Sequence, residues 1–502
     1  MAINTQNLGA LISLTEHGER VLLTDCRDAA SPRQWTGREI EAQANAVANG
    51  LLARGLKRGD RVALLAENRA EYITAYFGIM RAGLVAVPVN HKFPSSTIAF
   101  VLQDAEIRFA FTDTERASLV PGELPQVNFD SEEFEQFAVV PDFETVEPTA
   151  QEVAMFLYTS GSTGKPKGVP LTHSGHLWVV EHRLQPNVDY GEERILVAAP
   201  LYHMNALALI KFAAVAGAPV VLLPRFTADA YLSAIETHRC TWLTSVPTML
   251  ALVVQAEERL KNTDVSTVTS VRMGSAPVTA RLLAQVRAAF PGAKIQLGYG
   301  TTEAGPVVFG PHTEGKPTPE LALGIKHPAV DLRLVDSAGA EADVGVLQMR
   351  CPAVTPGYHN LPDKTASVMT EDGYYHTSDV MRRDDDGFYY FVGRDDDMFV
   401  CNGENVFPEE VERLLESHSN VVQSCVVPVE DDVRGQMPVA FVVLRPGAEP
   451  DAGELKQFTI ANGPAYQHPR HIFFETELPL ASTNKIDRRL LTQQAGQHLN
   501  KQ

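Results

Sequence analysis

Helical and strand patterns of apolar residues alternate near the start of this 502-residue chain. Apolar positions at helical spacing follow Thr36, which can cap a helix, and Gly55 is suited to end it. Residues 61–67 and 84–90 then predict two buried strands, and residues 72–80 predict the helix between them. This alternation predicts a parallel sheet with helices packed on its faces, and it argues against an all-β fold.

The pattern of predicted strands changes in the last third of the chain. Further buried strands of the parallel-sheet type are predicted at residues 195–199, 220–223, 242–246 and 295–297. From about Pro328 the sequence predicts short alternating strands separated by glycine and aspartate turns. Beyond Gly393 it predicts a separate α+β unit, with helices at 408–418 and 453–461 and strands at 421–429 and 439–444. We therefore expect an α/β protein: a large N-terminal domain of parallel-type sheets layered with helices, a β-rich subdomain within it, and a small α+β C-terminal domain.

Composition narrows the class of function. The chain has 62 acidic and 43 basic residues and a net charge of −19, which argues against broad binding to nucleic acid or to an anionic membrane. No apolar run approaches the roughly 20 residues of a membrane helix. The five scattered cysteines lack Cys-x-x-Cys spacing, and the N-terminus lacks the pattern of a signal peptide. We expect a cytoplasmic protein with reduced thiols.

The string FLYTSGSTGKPKGVPLTH, at residues 156–173, carries the strongest chemical signal. Its glycines allow backbone N–H groups to turn toward a ligand, its hydroxyls add donors, and Lys165 and Lys167 add positive charge. Such a loop can surround phosphate oxygens. A Walker loop is disfavoured, because Gly161 and Gly164 are too close together and Pro166 follows the first lysine.

This string resembles the signature loop of the adenylate-forming superfamily, which includes acyl- and aryl-CoA ligases, adenylation domains of peptide synthetases and beetle luciferases. Further family motifs follow in family order: PLYHMNAL at Pro200, GSAPV at Gly274, GYGTTEAGP at Gly298, YYHTSDV at Tyr374, GRDDDMFVCNGENVFPEEVE at Gly393 and STNKIDRR at Ser482. The resemblance therefore covers nearly the whole chain. It implies a large domain at 1–393, a hinge at 394–396 and a mobile small domain at 397–502.

The resemblance implies a two-step reaction. A carboxylate attacks the α-phosphate of ATP to give an acyl-adenylate and pyrophosphate, and the thiol of coenzyme A then displaces AMP. In the family, the glutamate at position 303 binds Mg²⁺, and hard oxygen ligation of this kind suits that ion. Thr302 is expected to contact the α-phosphate. The residues expected to hold the β- and γ-phosphates are Thr159, Ser160, Gly161, Ser162, Thr163, Gly164 and Lys167.

The nucleoside is expected to lie between three of the motifs. By the resemblance, Tyr299 lies near the adenine, Asp379 accepts hydrogen bonds from the ribose hydroxyls, and Arg394 also reaches the ribose. Asp396 occupies the hinge position, where a residue absorbs a backbone change without touching substrate. Backbone groups beside the nucleotide are expected from Gly274, Ser275, Ala276, Pro277, Gly300 and Thr301.

Lys485 corresponds to the family lysine that orients the carboxylate and the α-phosphate during adenylation. After that step the small domain is expected to rotate, so that Lys485 leaves the site. Asn402, Gly403 and Glu404 then approach the tunnel for the thiol. Asn402 stands where the family often has another glycine, so the tunnel wall can differ here.

The acyl pocket is expected to begin at His203, the gate between the carboxylate site and the thiol tunnel. Its predicted walls are His182, Met204, Asn205, Thr244, Met273, Gly298, Gly300, Gly305 and Pro306. The Gly305-Pro306 pair resembles 4-coumarate–CoA ligases and leaves room for a planar acid. The polar wall groups argue against a long plain alkyl chain, because buried polar groups need partners.

The expected partner is a small carboxylic acid, with an aromatic or arylpropenoic acid preferred and a short hydroxy or dicarboxylic acid as the alternative. The expected cofactors are ATP, Mg²⁺ and coenzyme A. An enzyme that loads a carrier-protein thiol stays open as a second hypothesis, although no carrier module follows STNKIDRRLL in this sequence. No nucleic-acid partner or membrane span is expected, and the protein is expected to be a monomer or a homodimer.

Overall fold

The computed structural model describes residues 3–137, 142–159, 165–186, 188–431, 434–481 and 486–499. It confirms the expected fold class, with parallel sheets layered with helices, a β-rich sheet and a C-terminal α+β unit. Within the described ranges no helix is both long and apolar enough to cross a bilayer. The five cysteines are all described, and all are free thiols.

The helices are numbered in chain order. They are α1 (Leu14–His17), α2 (Gly37–Ala53), α3 (Ala70–Arg81), α4 (Ser95–Asp104), α5 (Glu132–Gln136), α6 (His173–Glu181), α7 (Met204–Ala216), α8 (Ala228–His238), α9 (Pro247–Gln255), α10 (Glu257–Lys261), α11 (Ala280–Ala289), α12 (Pro362–Val368), α13 (Pro408–Glu416), α14 (Ala452–Asn462) and α15 (Arg488–Leu499). One turn of 3₁₀ helix covers Ala117–Leu119.

The strands are numbered in the same way. They are β1 (Val21–Asp25), β2 (Arg33–Thr36), β3 (Arg61–Leu65), β4 (Val85–Pro88), β5 (Ile107–Thr112), β6 (Gln126–Asn128), β7 (Val153–Thr159), β8 (Lys167–Thr172), β9 (Ile195–Val197), β10 (Val220–Leu222), β11 (Trp242–Ser245), β12 (Ser270–Gly274), β13 (Lys294–Gly298), β14 (Phe309–Gly310), β15 (Gly324–Lys326), β16 (Asp331–Val335), β17 (Val344–Arg350), β18 (Tyr375–Arg383), β19 (Phe388–Arg394), β20 (Phe399–Cys401), β21 (Glu404–Val406), β22 (Val421–Asp431), β23 (Gly435–Leu444) and β24 (His471–Glu475).

Two sheets are mainly parallel. Sheet I has the order β13-β12-β11-β9-β10-β1-β2, and only the pair β1–β2 is antiparallel. Sheet II has the order β6-β5-β3-β4-β7-β8, and only the pair β7–β8 is antiparallel. Parallel strands end on the same side, so the loops that follow them gather at one edge of each sheet.

The other two sheets are formed mainly by the strands that the sequence predicts beyond about Pro328. Sheet III has the order β14-β15-β19-β18-β17-β16, with antiparallel pairs throughout. Sheet IV joins β21-β20-β23-β22 in antiparallel pairs, and β24 adds to β23 in parallel. Helices α13 and α14 pack on one face of sheet IV and α15 on the other, as the two buried clusters of this region show.

Helices α2, α3, α6 and α7 share one large buried cluster with residues of sheets I, II and III. Helices α8, α9 and α11 cover the opposite face of sheet I, and α4 covers the opposite face of sheet II. All 12 residues of α3 are buried, since this helix is enclosed on every side. This layering fixes the backbone that carries the site.

The helix cap and the element limits predicted from the sequence agree with the structure. The Thr36 side chain accepts from the backbone N–H of Glu39, whose carboxylate accepts from the Thr36 N–H, which completes a capping box for α2. Strands β3 and β4 and helix α3 lie within one to three residues of the predicted limits. Strand β22 extends beyond the predicted segment to Asp431, and β23 begins earlier, at Gly435.

Candidate active site

The candidate site lies where strands β9, β11, β12 and β13 of sheet I end. The loops that follow these strands line a cavity of about 2670 Å³, together with residues of β18 and β19 and of the C-terminal unit. Open α/β sheets bind ligands outside the carboxyl ends of their strands. Most of the site residues predicted from the sequence reach this one cavity.

The predicted phosphate loop connects β7 to β8. Thr159 and Lys167 are cross-strand neighbours at the mouth of this hairpin, and both line the cavity. Ser160, Gly161, Ser162, Thr163 and Gly164 lie outside the described residues. The hydroxyl of Thr159 is buried and has no hydrogen-bond partner among the described residues. A buried hydroxyl needs a partner, so this group suits an added polar ligand.

Glu303 and Lys167 place opposite charges beside each other. Glu303 is buried, and the hydroxyl of Tyr358 donates to its Oε1 atom at 2.9 Å. The Lys167 ammonium lies 4.4 Å from the centre of the Tyr358 ring. Burial lowers the pKa of Lys167, and the attraction of Glu303 opposes that effect. The pair can hold anionic oxygens, with Lys167 as the cation.

The residues present fit a magnesium ion held mainly by its substrate. Within the described part of the chain, no three His, Cys, Asp or Glu side chains form a cluster that could hold a metal. Glu303 supplies one carboxylate in the cavity. Mg²⁺ is commonly bound by one or two carboxylates together with substrate phosphates and water. Bound there, the ion would neutralise charge on the phosphates.

The predicted ribose residues form a connected group. The Tyr299 hydroxyl donates to Oδ2 of Asp379, and Arg394 donates to Oδ1 at 3.0 Å. Asp379 and Arg394 are cross-strand partners on β18 and β19. Arg394 also binds both oxygens of Asp396, at 2.7 and 2.8 Å. Burial opposes its charge, but Asp396 and Asp379 together raise the pKa of Arg394.

The ends of β12 and β13 approach each other closely. A Cβ atom on Gly274 would lie 2.6 Å from the carbonyl oxygen of Gly298. Ser275 follows with φ at +71°, a backbone conformation that turns the chain at the cavity. Ala276, Pro277, Gly300, Thr301 and Thr302 also line the cavity. These residues offer backbone polar groups at the position expected for the nucleobase.

Most of the predicted acyl pocket comes together. The residues of this group that line the cavity are His203, Met204, Asn205, Thr244, Met273, Gly298, Gly300, Gly305 and Pro306. His203 precedes α7, and its ring packs 4.6 Å from that of Tyr202. The buried hydroxyl of Thr244 has no hydrogen-bond partner among the described residues. The described wall of this part of the cavity is therefore apolar with separate polar groups.

His182 lies apart from this group. Its Nδ1 atom is 2.9 Å from the carbonyl oxygen of Trp178, one turn earlier, and its ring contacts those of Trp178 and His327. Among the described residues that line the cavity, Arg183 is present and His182 is not. The structure thus brings the next residue in the chain to the cavity.

The C-terminal unit presents one of its two predicted segments to the cavity. Lys485 lies outside the described residues, but Ala481 and Ile486, on either side of residues 482–485, line the cavity. Asn402 and Gly403, with φ at +54° and +84°, form the two-residue turn between β20 and β21. With Glu404 they are exposed, and they are not among the described residues that line the cavity.

Three residues of the site carry no signal that was interpreted from the sequence. Tyr358 contacts Glu303 from 55 positions away, which no local pattern reveals. Arg183 and Arg272 line the cavity, and Arg272 lies beside Gly298 of the predicted acyl pocket. Arg272 had a signal: it stands between buried Val271 and Met273 in a parallel strand, where charge is uncommon.

The sequence comparisons decide the family. The family model described as "AMP-binding enzyme" matches residues 13–359, and that described as "AMP-binding enzyme C-terminal domain" matches residues 410–485. The chain belongs to the AMP-binding enzymes. Within this family, a feruloyl-CoA synthase from Amycolatopsis sp is 32% identical over 459 residues, covering 89% of this chain and 91% of that protein.

Solved structures agree with this assignment. ATP-bound MatB from Rhodopseudomonas palustris has a TM-score of 0.89 at 27% identity, covering 98% of this chain and 99% of that one. The anthranilate CoA ligase AuaEII, solved with anthranoyl-AMP, has a TM-score of 0.88 at 25% identity, covering 99% of this chain and 98% of that one. The protein is thus an AMP-forming acid–thiol ligase of the acyl- and aryl-CoA ligase group.

Proposed function

We propose that this AMP-binding enzyme is an ATP-dependent carboxylic acid–CoA ligase that works through an acyl-adenylate. The carboxylate of the acid attacks the α-phosphate of ATP, and pyrophosphate leaves. The sulfur of coenzyme A then attacks the acyl carbon, and AMP leaves. The observation that carries the proposal is that Lys167, Glu303, Asp379 and Arg394 line one cavity at the carboxyl end of sheet I.

Each of these side chains has a role that its surroundings support. Lys167 and the hydroxyl of Thr159 would bind phosphate oxygens, and Glu303 would hold a magnesium ion that neutralises their charge. Asp379 accepts from the ribose, with Tyr299 and Arg394 holding its carboxylate in place. Chemistry of this kind depends on positioning and on charge neutralisation, and it needs no protein nucleophile.

The preferred substrate is an aromatic or arylpropenoic acid. Met204, Met273 and Pro306 line the cavity together with the polar Asn205 and Thr244, a combination that suits an aromatic ring carrying a polar substituent. The named activities of the feruloyl-CoA synthase and of the anthranilate CoA ligase support this class of acid.

The two half-reactions are proposed to use two positions of a C-terminal domain at 397–502, which turns about a hinge at 394–396. The flanks of residues 482–485 line the cavity, which supports a role for Lys485 in adenylation. The exposed Asn402, Gly403 and Glu404 would enter only after rotation. Arg413 holds the junction by donating to the carbonyl oxygens of Phe391 and Val392, at 3.0 and 2.9 Å.

A pyrophosphate-release screen tests the activity. Aryl, arylpropenoic, short-chain, hydroxy and dicarboxylic acids are each supplied with Mg-ATP and coenzyme A, and thioester is measured by mass. We expect stoichiometric pyrophosphate, AMP and thioester with at least one acid. If pyrophosphate is released but thioester forms only on an added carrier protein, the acyl acceptor is the thiol of the carrier protein and not coenzyme A. Absence of ATP-dependent pyrophosphate exchange with every acid would refute the ligase itself.

Lys485→Ala separates the half-reactions. We expect this variant to lose acyl-adenylate formation and to retain thioester formation from preformed acyl-adenylate. Lys326→Ala, a change at an exposed lysine outside the cavity, is the matched control. An equal loss of both half-reactions in Lys485→Ala would contradict the two-position mechanism.

A further inference from the structure

Two neighbouring arginines line the cavity, one of them beside Gly298 of the predicted acyl pocket. Arg183 follows helix α6, Arg272 lies within strand β12, and both line the cavity. Arg272 occupies the space that a side chain at position 298 would need, because a Cβ atom on Gly298 would lie 2.7 Å from its Nε atom. The glycine expected to shape the acyl pocket therefore also gives room to a guanidinium group.

Neither guanidinium group has an anionic partner in the part of the chain that the structure describes. No ion pair and no side-chain hydrogen bond joins Arg183 or Arg272 to a described residue, and Arg183 lies over the Phe212 ring at 5.2 Å. Two other arginines, Arg81 and Arg488, are enclosed and paired with carboxylates. Arg81 binds Glu41 at 2.6 Å, and Arg488 binds Glu412 at the same distance.

The local charge is positive although the whole protein is acidic. Burial, and then the charge of Arg272, lower the pKa of Arg183 to about 9, and burial also lowers the pKa of Arg272. Lys211, on the neighbouring helix α7, adds a further basic group. The positive charge of Arg183 repels the protonated form of Lys211 and lowers its pKa. Enclosed cations without counter-charges are unfavourable unless a ligand supplies the anion.

We infer that the acid activated here carries a second anionic group, and that Arg183 and Arg272 bind it at the end of the pocket away from the reacting carboxylate. A carboxylate is the chemistry that fits, because planar guanidinium groups bind it through paired hydrogen bonds. The inference rests on the proposed ligase function and specifies its substrate class: a dicarboxylic acid, with an aromatic or arylpropenoic skeleton preferred.

This arrangement also selects against neutral tails. An acid whose far end is alkyl or plain aryl would cover the two guanidinium groups without giving them a partner. Sites built around a buried polar group reject analogues that lack its partner far more strongly than they reject a change of size. Specificity for the second charge would therefore show in kcat/KM and not only in KM.

The test compares matched acids that differ by one carboxylate. The aromatic arm sets cinnamate against 4-carboxycinnamate and benzoate against its three carboxy derivatives, and the aliphatic arm sets butanoate against glutarate. We expect a dicarboxylate to exceed its matched monoacid by about 100-fold in kcat/KM, the scale of a charge-assisted pair. The arm with the larger ratio identifies the skeleton.

Substitutions assign the effect to the two arginines. Arg272→Met and Arg183→Met should each reduce the dicarboxylate preference by about tenfold or more, and leave KM for ATP unchanged. Arg272→Lys should keep part of the preference, which guards against loss through misfolding. Arg108→Met, at an exposed position on β5, is the matched control and should change nothing.

The outcomes separate this inference from the proposed function. Monoacids turned over as well as their dicarboxylate partners, with no change in Arg272→Met, would overturn the inference and leave the ligase assignment standing. No pyrophosphate release with any acid would instead refute the ligase. A direct readout is binding of the dicarboxylate to Lys485→Ala with ATP, measured by calorimetry, which should weaken when Arg272→Met is added.

Discussion

Lys211→Met should remove a pH dependence of stability that originates in the core. Lys211 is fully buried on helix α7, where its ammonium nitrogen lies 3.2 Å from Nδ1 of His176 and 3.8 Å from the sulfur of Met155. Burial, and then the charge of Arg183, lower its pKa from 10.5 to about 7. His176 does not titrate in the same range, because burial lowers its pKa well below 6.5.

The sign follows from proton counting. Between about pH 7 and pH 10.5 the unfolded chain holds a proton on Lys211 that the folded protein has lost. The unfolded state therefore binds more protons, and the free energy of unfolding rises with pH through this window. At about 1.4 kcal/mol per pH unit, this group should add about 3 kcal/mol between pH 7.5 and 9.5.

Urea unfolding at these two pH values measures the effect. The three tryptophans, Trp35, Trp178 and Trp242, all precede the predicted hinge, so their fluorescence reports on the large domain. Other titrating groups are common to wild type and variant, so the difference between the two proteins isolates Lys211. Lys326→Met, at an exposed position, is the control. A wild-type-minus-variant difference that is equal at both pH values would refute the reasoning.

Three further substitutions test the site and the fold. Glu303→Gln should raise the Mg²⁺ concentration needed for half-maximal pyrophosphate release by at least tenfold, since a neutral amide is a weaker ligand than a carboxylate; an unchanged Mg²⁺ titration would contradict its role. Gly274→Ala should lower ATP affinity measured by calorimetry, because its Cβ atom would lie 2.6 Å from a backbone oxygen of Gly298 and force β12 and β13 apart; normal affinity would contradict that account. Thr36→Ala should lower the free energy of unfolding by about 1 kcal/mol through loss of the capping box of α2, with unchanged kcat, and urea unfolding gives the value.

Local structure was predictable because its signals are local. The periodicity of apolar residues and the Thr36 cap placed α2, β3, α3 and β4 correctly. The order of strands was less accessible, since β1 pairs with β10 nearly 200 positions away and such pairing leaves no short-range pattern. Strand β24 was not predicted either, because it has only five residues and its apolar pattern does not distinguish it from the flanking segments.

In the candidate site too, residues that belong to local motifs were predictable and residues brought together only by folding were not. Motifs placed Lys167, Glu303, Asp379 and Arg394 in one reaction, and the structure brings these side chains to one cavity. The sequence pattern did not point to Arg183, since its importance lies in the absence of a described carboxylate around it. The absence of a described carboxylate near Arg183 depends on which segments pack around it, so it can be seen only in the three-dimensional structure.

The position of Arg394 has a thermodynamic consequence. One guanidinium group holds Asp379, the expected ribose carboxylate, and Asp396, the expected hinge carboxylate. If a bound nucleotide changes the contact of Arg394 with Asp379, we expect the contact of Arg394 with Asp396 to change as well. Coupling of this kind is reciprocal, so a hinge position that weakens nucleotide binding must itself be disfavoured by bound nucleotide to the same extent. Release of AMP and reopening of the protein would then be two measures of a single free energy.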